Sequence, residues 1–239
     1  MPLPKISTPT YELEIPSIKK KVKYRPFLVK EEKILIIALE SEDTKQIANA
    51  VKNVISSCIS TRGIKVENLA TFDIEYLFLN IRGNSVGEDV EVMVTCPDDK
   101  ETKVPVTIHL DEIHVKTNKN HTRDIKVDDN LTLRMKYPSM NEFIKNNFAT
   151  TGQIAVSDTF DLISHCIEQI YSEEESWEAS DCSKKELSEF IEQLSSKQFK
   201  EIESFFDTMP KLSHTIKVTN PNTGVESEIL LEGLAAFFA

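Results

Sequence analysis

The stretch from residue 71 to residue 110 constrains the fold most, because two different periodicities meet in it. Phe72, Tyr76 and Leu79 recur at i, i+4 and i+7, which predicts a helix with one apolar face. Beyond this helix, apolar and polar residues alternate in two runs that are separated by Pro97-Asp98-Asp99-Lys100. Such alternation around a polar turn predicts a β-hairpin. The stretch therefore predicts a helix, a turn and an antiparallel hairpin.

The turn of this stretch carries a motif that is also found in enzymes. Gly83-Asn84-Ser85-Val86-Gly87 matches the G-x-S-x-G pattern of serine hydrolases, in which the serine lies between a strand and a following helix. Here a helix precedes the pattern and strands follow it, so we interpret Gly83 as the glycine that ends the helix. The alternative from the enzyme class is a hydrolase that uses Ser85 with His109 or His114, and it requires a base oriented beside the serine.

The charge balance and the hydropathy limit the classes of partner. The formal net charge is -11, whereas sequence-independent binding to nucleic acid needs clustered Lys and Arg. No apolar run approaches the length of a membrane span, and the N-terminal residues lack the apolar core of a secretory signal. We therefore expect a cytoplasmic protein that binds no nucleic acid, no membrane and no small-molecule substrate, and a basic protein surface is the more plausible partner.

The remaining patterns predict an α+β fold, in which antiparallel strands and hairpins pack with about six to seven helices. The chain opens with a hairpin over residues 11–27, followed by a buried helix over 30–40 and an amphipathic helix over 43–60. Three further alternating runs join the hairpin around Cys96 in an antiparallel sheet of about five strands. These runs cover residues 113–117, 123–127 and 131–137.

From residue 138 onward the pattern is mainly helical, which predicts a helical bundle closed by a C-terminal hairpin. Ser139, Ser183 and Ser195 each precede a Glu or Gln by three residues, which is typical of a capping box at a helix start. The predicted helices cover residues 140–147, 154–172, 184–194 and 196–208, and the hairpin covers 214–219 and 225–231. We therefore divide the chain into a mixed α/β region over 1–137 and a mainly helical region over 138–239.

The cysteines indicate free thiols, since Cys58, Cys96, Cys166 and Cys182 show no C-x-x-C spacing. The hairpin turn has Asp99 at the place where a zinc knuckle carries its second thiolate. We therefore predict no metal and no cofactor. A degenerate zinc-ribbon binding module, with Cys96 and nearby histidines as ligands, is the alternative.

Three groups of residues are candidates for partner contacts. Lys19, Lys20 and Lys21 crowd the tip of the first hairpin, and Trp177 lies in an acidic segment between two predicted helices. An exposed tryptophan among carboxylates is suited to docking a basic helix. The apolar C-terminal residues are the third group, and they either pack on this protein or contact a neighbour. Its members are Leu234, Phe237 and Phe238.

Taken together, these residues resemble a known family over nearly the whole chain. The likeness is carried by YRPFLVKEEK, FDIEYLFLNIRGNSVGE, the hairpin with VTCPDD, the MKYPS step and HTIKVTNP followed by LEGLAAFF. With these segments the chain resembles the baseplate hub assembly proteins of T-even-type contractile-tailed bacteriophages. Relatives carry Cys pairs in one or both hairpin tips, whereas here the first tip keeps only Cys96 and the second reads Asn220-Pro221-Asn222-Thr223.

The resemblance implies a non-enzymatic role in assembly. It implies that the protein binds other baseplate hub proteins or the tape-measure protein while the tail is built in the host cytoplasm. It implies no catalytic residues. It leaves open whether the protein stays in the virion or acts as a transient chaperone.

Overall fold

The computed structural model describes residues 6–41, 43–140 and 156–233 of the 239-residue chain. The chain divides into two compact units. Unit 1 comprises Met1–Lys116 and Lys211–Ala239, and unit 2 comprises Thr117–Pro210. This division does not coincide with the predicted regions 1–137 and 138–239, because the last hairpin of the chain belongs to the same unit as its first part.

Unit 1 contains three α-helices and seven strands in the described residues, in the following order. They are β1 (Tyr11–Ile15), β2 (Lys20–Tyr24), α1 (Val29–Glu40), α2 (Thr44–Cys58), α3 (Thr71–Val86), β3 (Asp89–Thr95), β4 (Lys103–His109), β5 (His114–Lys116), β10 (Lys211–Thr219) and β11 (Glu226–Glu232). The predicted first hairpin, the two following helices, the hairpin after α3 and the C-terminal hairpin are all confirmed. The helix α2 begins where predicted, because Asp43 caps it by accepting from the N–H groups of Lys45 and Gln46.

The helix α3 lies in the core of unit 1 and is longer than predicted. Ten of its residues are buried, among them Leu77, Leu79 and Ile81. The prediction that Gly83 ends the helix is wrong, since α3 continues to Val86 and its C-cap is Gly87 with φ 137°. A Cβ at Gly83 would lie 3.7 Å from Leu110 Cδ1, which is an ordinary van der Waals contact, so the packing around this position does not require glycine.

The strands of unit 1 form three separate antiparallel sheets. β1 pairs with β2, β3 pairs with β4, and the third sheet has the order β11-β10-β5. The prediction of one sheet of about five strands is therefore wrong, because β5 pairs with β10 from the other end of the chain. The β3–β4 hairpin and the β10–β11 hairpin share one apolar core, which includes Val92, Ile108, Ile216 and Leu231 together with Leu79 of α3.

Unit 2 contains one four-stranded antiparallel sheet and three α-helices in the described residues. They are β6 (Asp124–Lys126), β7 (Thr132–Met135), α4 (Val156–Cys166), β8 (Ile167–Tyr171), β9 (Ser176–Glu178), α5 (Lys184–Glu192) and α6 (Ser196–Thr208), and the sheet order is β6-β7-β8-β9. Both capping boxes of α5 and α6 are present, at Ser183 and Ser195. The predicted helix over 140–147 and the box that begins it at Ser139 extend outside the described residues.

The largest correction in unit 2 concerns the predicted helix over 154–172. The helix ends at Cys166, and the chain continues directly as strand β8. The apolar residues of the predicted helix are buried as expected, but Ile167 and Ile170 are buried as part of a strand. They stand opposite Met135 and Leu133 of β7. The fold class α+β is confirmed, with six α-helices in the described residues. A helical bundle in the C-terminal half is not what the described residues show, since four strands lie there.

Candidate partner-binding surfaces

The serine of the G-x-S-x-G motif occupies a structural position in the last turn of α3. Its hydroxyl donates to the carbonyl oxygen of Ile81 at 2.5 Å and accepts the main-chain N–H of Phe27 at 2.9 Å. The serine thus lies within a helix and not on the strand-to-helix turn that a hydrolase nucleophile requires. The bond from Phe27 holds the segment before α1 against the end of α3, whereas the bond to Ile81 lies within α3 itself.

The two histidines of the hydrolase hypothesis show no hydrogen bond to Ser85 among the described residues. The ring of His109 pairs with Asp89, with Nδ1 2.6 Å from Oδ1, and both side chains are exposed. This hydrogen bond, followed by the charge of Asp89, raises the pKa of His109. His114 lies exposed in β5, opposite Ser213 of β10. The arrangement of nucleophile and base that acyl transfer needs is therefore not formed by these residues.

The turns of the β3–β4 and β10–β11 hairpins lie side by side and are joined by polar side chains. Asn220 Nδ2 lies 3.0 Å from both carboxylate oxygens of Asp98 and 2.9 Å from Asp99 Oδ2. The hydroxyl of Thr223 donates to Asp98 at 2.6 Å, and Asn222 Nδ2 donates to the Thr102 hydroxyl at 2.9 Å. We call these six residues the tip junction. They are Asp98, Asp99, Thr102, Asn220, Asn222 and Thr223.

The two turns of the tip junction have the same local geometry. In the first, the N–H of Lys100 donates to the carbonyl of Cys96 at 2.9 Å, and in the second Gly224 donates to Asn220 at 2.8 Å. The donor has a positive φ in both turns, 59° at Lys100 and 74° at Gly224. Cys96 and Asn220 therefore hold equivalent positions, and both are about 1% exposed.

The chemistry of the tip junction fits hydrogen bonding and does not fit a metal ion. The hydroxyl and N–H of Thr102, followed by other donors, hold the pKa of Asp99 well below its usual range. Burial, followed by the charges of Asp98 and Asp99, raises the pKa of the Cys96 thiol. The amide of Asn220 directs its N–H donors at the carboxylates. Within the described part of the chain, no three His, Cys, Asp or Glu side chains are grouped as metal ligands.

The lysines at the first hairpin are displayed on an anchored turn. Lys19 has φ 52°, and Lys20 and Lys21 begin β2, with all three side chains exposed. The turn is held by Asp73 of α3, whose carboxylate accepts the N–H of Ser17 at 3.0 Å and also its hydroxyl. Burial raises the pKa of Asp73, and the bonds from Ser17 oppose this shift. The role of the three lysines as partner contacts stays a prediction.

Trp177 lies on the edge strand β9 and not in a loop between two helices. Its side chain is 43% exposed and stands opposite Ile170 of β8. The strand follows a tight turn in which the hydroxyl and the N–H of Ser172 both bind the carbonyl of Glu175. The remaining predicted contacts, Leu234, Phe237 and Phe238, lie outside the described residues. Before them, Gly233 has φ 74° and donates its N–H to Leu212 at 3.0 Å.

An apolar face of α1 is a surface that the sequence patterns did not reveal. The helix was expected to be buried, but the side chains of Val29, Ile34, Ile36 and Ile37 are between 46% and 79% exposed. The expectation is therefore wrong. The sequence contained a signal of this exposure, since Lys30 and Lys33 before the apolar run and Glu40 after it fall on the same helical face as the exposed apolar residues. Clustered exposed apolar side chains are typical of protein interaction sites.

Comparison of the sequence with known protein families identifies the family to which the chain belongs. Among the described residues, no helix has both the length and the apolar character that crossing a membrane demands. Residues 8–239 match the family model described as T4 bacteriophage base plate protein. No curated protein and no solved structure matches the chain. The chain therefore belongs to the T4 bacteriophage base plate protein family and has a role connected with the phage tail baseplate.

Proposed function

We propose that this protein helps to build the baseplate hub of a contractile tail, and that it acts by binding other hub proteins or the tape-measure protein without catalysing a reaction. The observation that carries the proposal is the family match, which spans residues 8–239 and so includes both units. Because the match covers both units, we assign the role of the family to the whole chain. We expect such a protein to bind several partners. The proposal places the protein in the host cytoplasm during assembly and in or beside the tail.

The surfaces of unit 1 support binding as the mode of action. The α1 face exposes Ile34 and Ile37 side by side, one helical turn apart, and burying such side chains is worth about 1.5–3 kcal/mol each. The hydroxyl of Ser85, by contrast, is engaged with main-chain groups. An apolar helix face on an acidic protein suits an interface in which a partner covers the apolar residues.

The test is the assembly of tails by a phage that lacks the gene, with the protein supplied from a plasmid. Without the protein, we expect hub intermediates to be missing from sedimentation gradients and from electron micrographs of lysates. Normal hubs in its absence would overturn the proposal. Quantitative mass spectrometry of purified tails then separates two roles, because a structural subunit remains at a fixed stoichiometry and a transient chaperone is lost.

A matched pair of variants tests the α1 face within the same experiment. Ile37→Asp places a charge in the exposed apolar face, and Lys33→Gln changes a neighbouring exposed residue without adding an apolar or acidic group. Since both side chains are exposed, the free energy of unfolding should change by less than about 0.5 kcal/mol. We expect Ile37→Asp alone to reduce hub formation. Equal hub formation by both variants would exclude this face as the interface.

A further inference from the structure

The strand β11 forms an outer edge of the three-stranded sheet in unit 1. In the order β11-β10-β5 it has β10 on one side, and among the described residues no strand pairs with its other side. The pairing with β10 runs without a bulge from Glu226 opposite Thr219 to Glu232 opposite Ser213. The open edge is therefore seven residues long, which is more than the average strand.

Two hydrogen bonds beyond the ends of β11 define which main-chain groups face the open edge. The N–H of Asn220 donates to the carbonyl of Val225, and the N–H of Gly233 donates to Leu212, both at 3.0 Å. In an antiparallel pair, hydrogen-bonded residues alternate with residues whose N–H and C=O point away from the partner. The odd-numbered residues of β11 therefore bind β10. The even-numbered residues direct their main-chain groups outward, and these are Glu226, Glu228, Leu230 and Glu232.

The side chains of the same four residues lie together on one face of β11. Three of them are exposed glutamates, and Leu230 is 55% exposed among them. One cation stands beside them on β10, where Lys217 Nζ lies 3.5 Å from Glu228, with both side chains largely exposed. An exposed ion pair of this kind contributes little and leaves most of the negative charge uncompensated.

Several other edges of the described sheets have features that discourage pairing, although β3 is, like β11, a seven-residue edge strand without a proline. The strand β4 carries Pro105, which has no N–H to offer, and β5, β6 and β9 are each three residues long. The β11 edge has neither a proline nor a bulge. Its glutamates disfavour one occupant, a second copy of β11, because carboxylates would then stand opposite carboxylates.

We propose that the open edge of β11 takes up an antiparallel strand of a partner protein, with Lys or Arg opposite the glutamates and an apolar residue opposite Leu230. Main-chain hydrogen bonds to the even-numbered residues supply the affinity, and the charges select the partner and the register. The net charge of -11 favours approach of a basic segment. The identity of this partner as a baseplate protein rests on the proposed function, whereas the strand pairing is a property of this chain.

The experiment uses the full-length protein and a labelled synthetic peptide, with binding followed by fluorescence anisotropy. The peptide carries lysine at the three positions that face Glu226, Glu228 and Glu232, and valine at all others, including the position that faces Leu230. The control peptide has the same sequence but carries N-methyl groups on one edge, so that its charge is kept and its hydrogen bonding is lost. We expect the control peptide to bind at least tenfold more weakly. In amide exchange measured by NMR, the peptide should protect the N–H groups of Glu226, Glu228, Leu230 and Glu232.

A pair of variants separates hydrogen bonding from charge at one position. Glu228→Pro removes the outward-facing N–H together with the carboxylate that pairs with Lys217, but no main-chain hydrogen bond to β10. Its melting temperature shows whether the fold is kept. Glu228→Gln keeps the N–H and removes the charge. We expect binding to weaken at least tenfold with Glu228→Pro and by less with Glu228→Gln. Equal binding of the two peptides, or protection of amides elsewhere than at this edge, would overturn the proposal.

The outcome of this experiment is independent of the test of the proposed function. The peptide assay contains no phage protein, so it can succeed or fail whatever the hub assembly experiment shows. If the protein pairs with the peptide but is dispensable for hub assembly, the strand-docking site is supported and the proposed function is refuted. If the protein is needed for hub assembly but the peptide protects no N–H group of β11, only the docking proposal is refuted.

Discussion

The two units join their distant segments by different kinds of contact. In unit 1, polar side chains bridge residues far apart in sequence, as in the bonds from Ser17 to Asp73 and from Asn220 to Asp98. In unit 2, aromatic rings do so, since the ring centroids of Tyr137 and Phe205 lie 5.7 Å apart. Removing one partner of a polar bridge lowers the stability because it leaves a buried polar group without a hydrogen bond. Removing a ring from an aromatic cluster lowers the stability because it leaves a cavity. The comparison therefore predicts different responses to substitution and to pH.

The largest expected effect is Phe205→Ala in unit 2. Phe205 is 2% exposed and contacts the rings of His121, Tyr137 and Phe206 at centroid distances of 5.1–5.7 Å. Removing it should lower the free energy of unfolding by about 3–5 kcal/mol, because a large cavity remains. Urea unfolding followed by the fluorescence of Trp177 measures this. Phe206→Ala is the control, and since Phe206 is only partly buried a loss as large as that of Phe205→Ala would contradict the argument.

Asn220→Ala tests the polar bridge of unit 1. Asn220 is buried, and its amide bonds both Asp98 and Asp99. Because hydrogen bonds to charged groups are worth about 1.5–3 kcal/mol, we expect a loss of about that size in the free energy of unfolding. Asn222→Ala is the control, since Asn222 is exposed and should cost less. If both substitutions cost the same small amount, the tip junction would not stabilise the hairpins.

Ser85→Ala should cost less, at about 1 kcal/mol in the free energy of unfolding. The substitution leaves the N–H of Phe27 without its side-chain acceptor, while the helix itself tolerates alanine well. Phage assembly should proceed normally, because the proposed function assigns no chemistry to the hydroxyl. Plaque titre of a complemented phage and thermal unfolding of the protein check the two parts. A loss of assembly with an intact fold would instead support a catalytic serine.

The smallest expected effect is a pH dependence of opposite sign in the two units. Burial, followed by the charge of Arg123, lowers the pKa of His121 in unit 2, whereas Asp89 raises the pKa of His109 in unit 1. The neutral ring of His121 donates from Nδ1 to Thr208, whose own hydroxyl donates to Ser204, and accepts from Tyr137 at Nε2. Stability from His121 is present above the unfolded pKa of about 6.5 and is lost as the pH falls.

The contribution of His109 has the other sign. It is fully present below about pH 6.5 and is lost as the pH rises through the raised folded pKa. Titration of the two rings by NMR, together with unfolding curves of His121→Gln and His109→Gln, measures both contributions. If both folded pKa values shifted in the same direction, this part of the comparison would be wrong.

Local patterns in the sequence were sufficient to predict most helices and hairpins. The capping boxes at Ser183 and Ser195 and the alternating runs on either side of Asp98-Asp99 encode structure within a few residues, so no tertiary information is needed. The helix predicted over 154–172 is wrong beyond Cys166, because there a distant contact decides the structure. Its apolar residues satisfy a helical spacing, but pairing with β7 buries them as a strand, and a contact over this distance overrides local preference.

The candidate surfaces were less predictable than the fold. The bond between Asp98 and Asn220 spans 122 positions, and polar turn residues give no signal of such a contact. The exposure of Ile34 and the open edge at Leu230 depend on what the rest of the chain leaves uncovered. A period-2 run predicts a strand, but it does not reveal whether one edge or both will be paired.

The pairing of β5 with β10 has a consequence for the connection between the two units and for the order in which they fold. Lys116 stands opposite Lys211, although the whole of unit 2 separates them in sequence. The two points at which the main chain leaves unit 1 and returns to it are thus about 5 Å apart, the spacing of neighbouring strands. A tight β-turn could span that gap, so unit 2 has the character of an insertion, and its excision need not break any strand of the host sheet. During synthesis, β5 cannot pair with β10 until β10 has left the ribosome. Unit 2 is synthesised before β10, so we expect unit 2 to fold first.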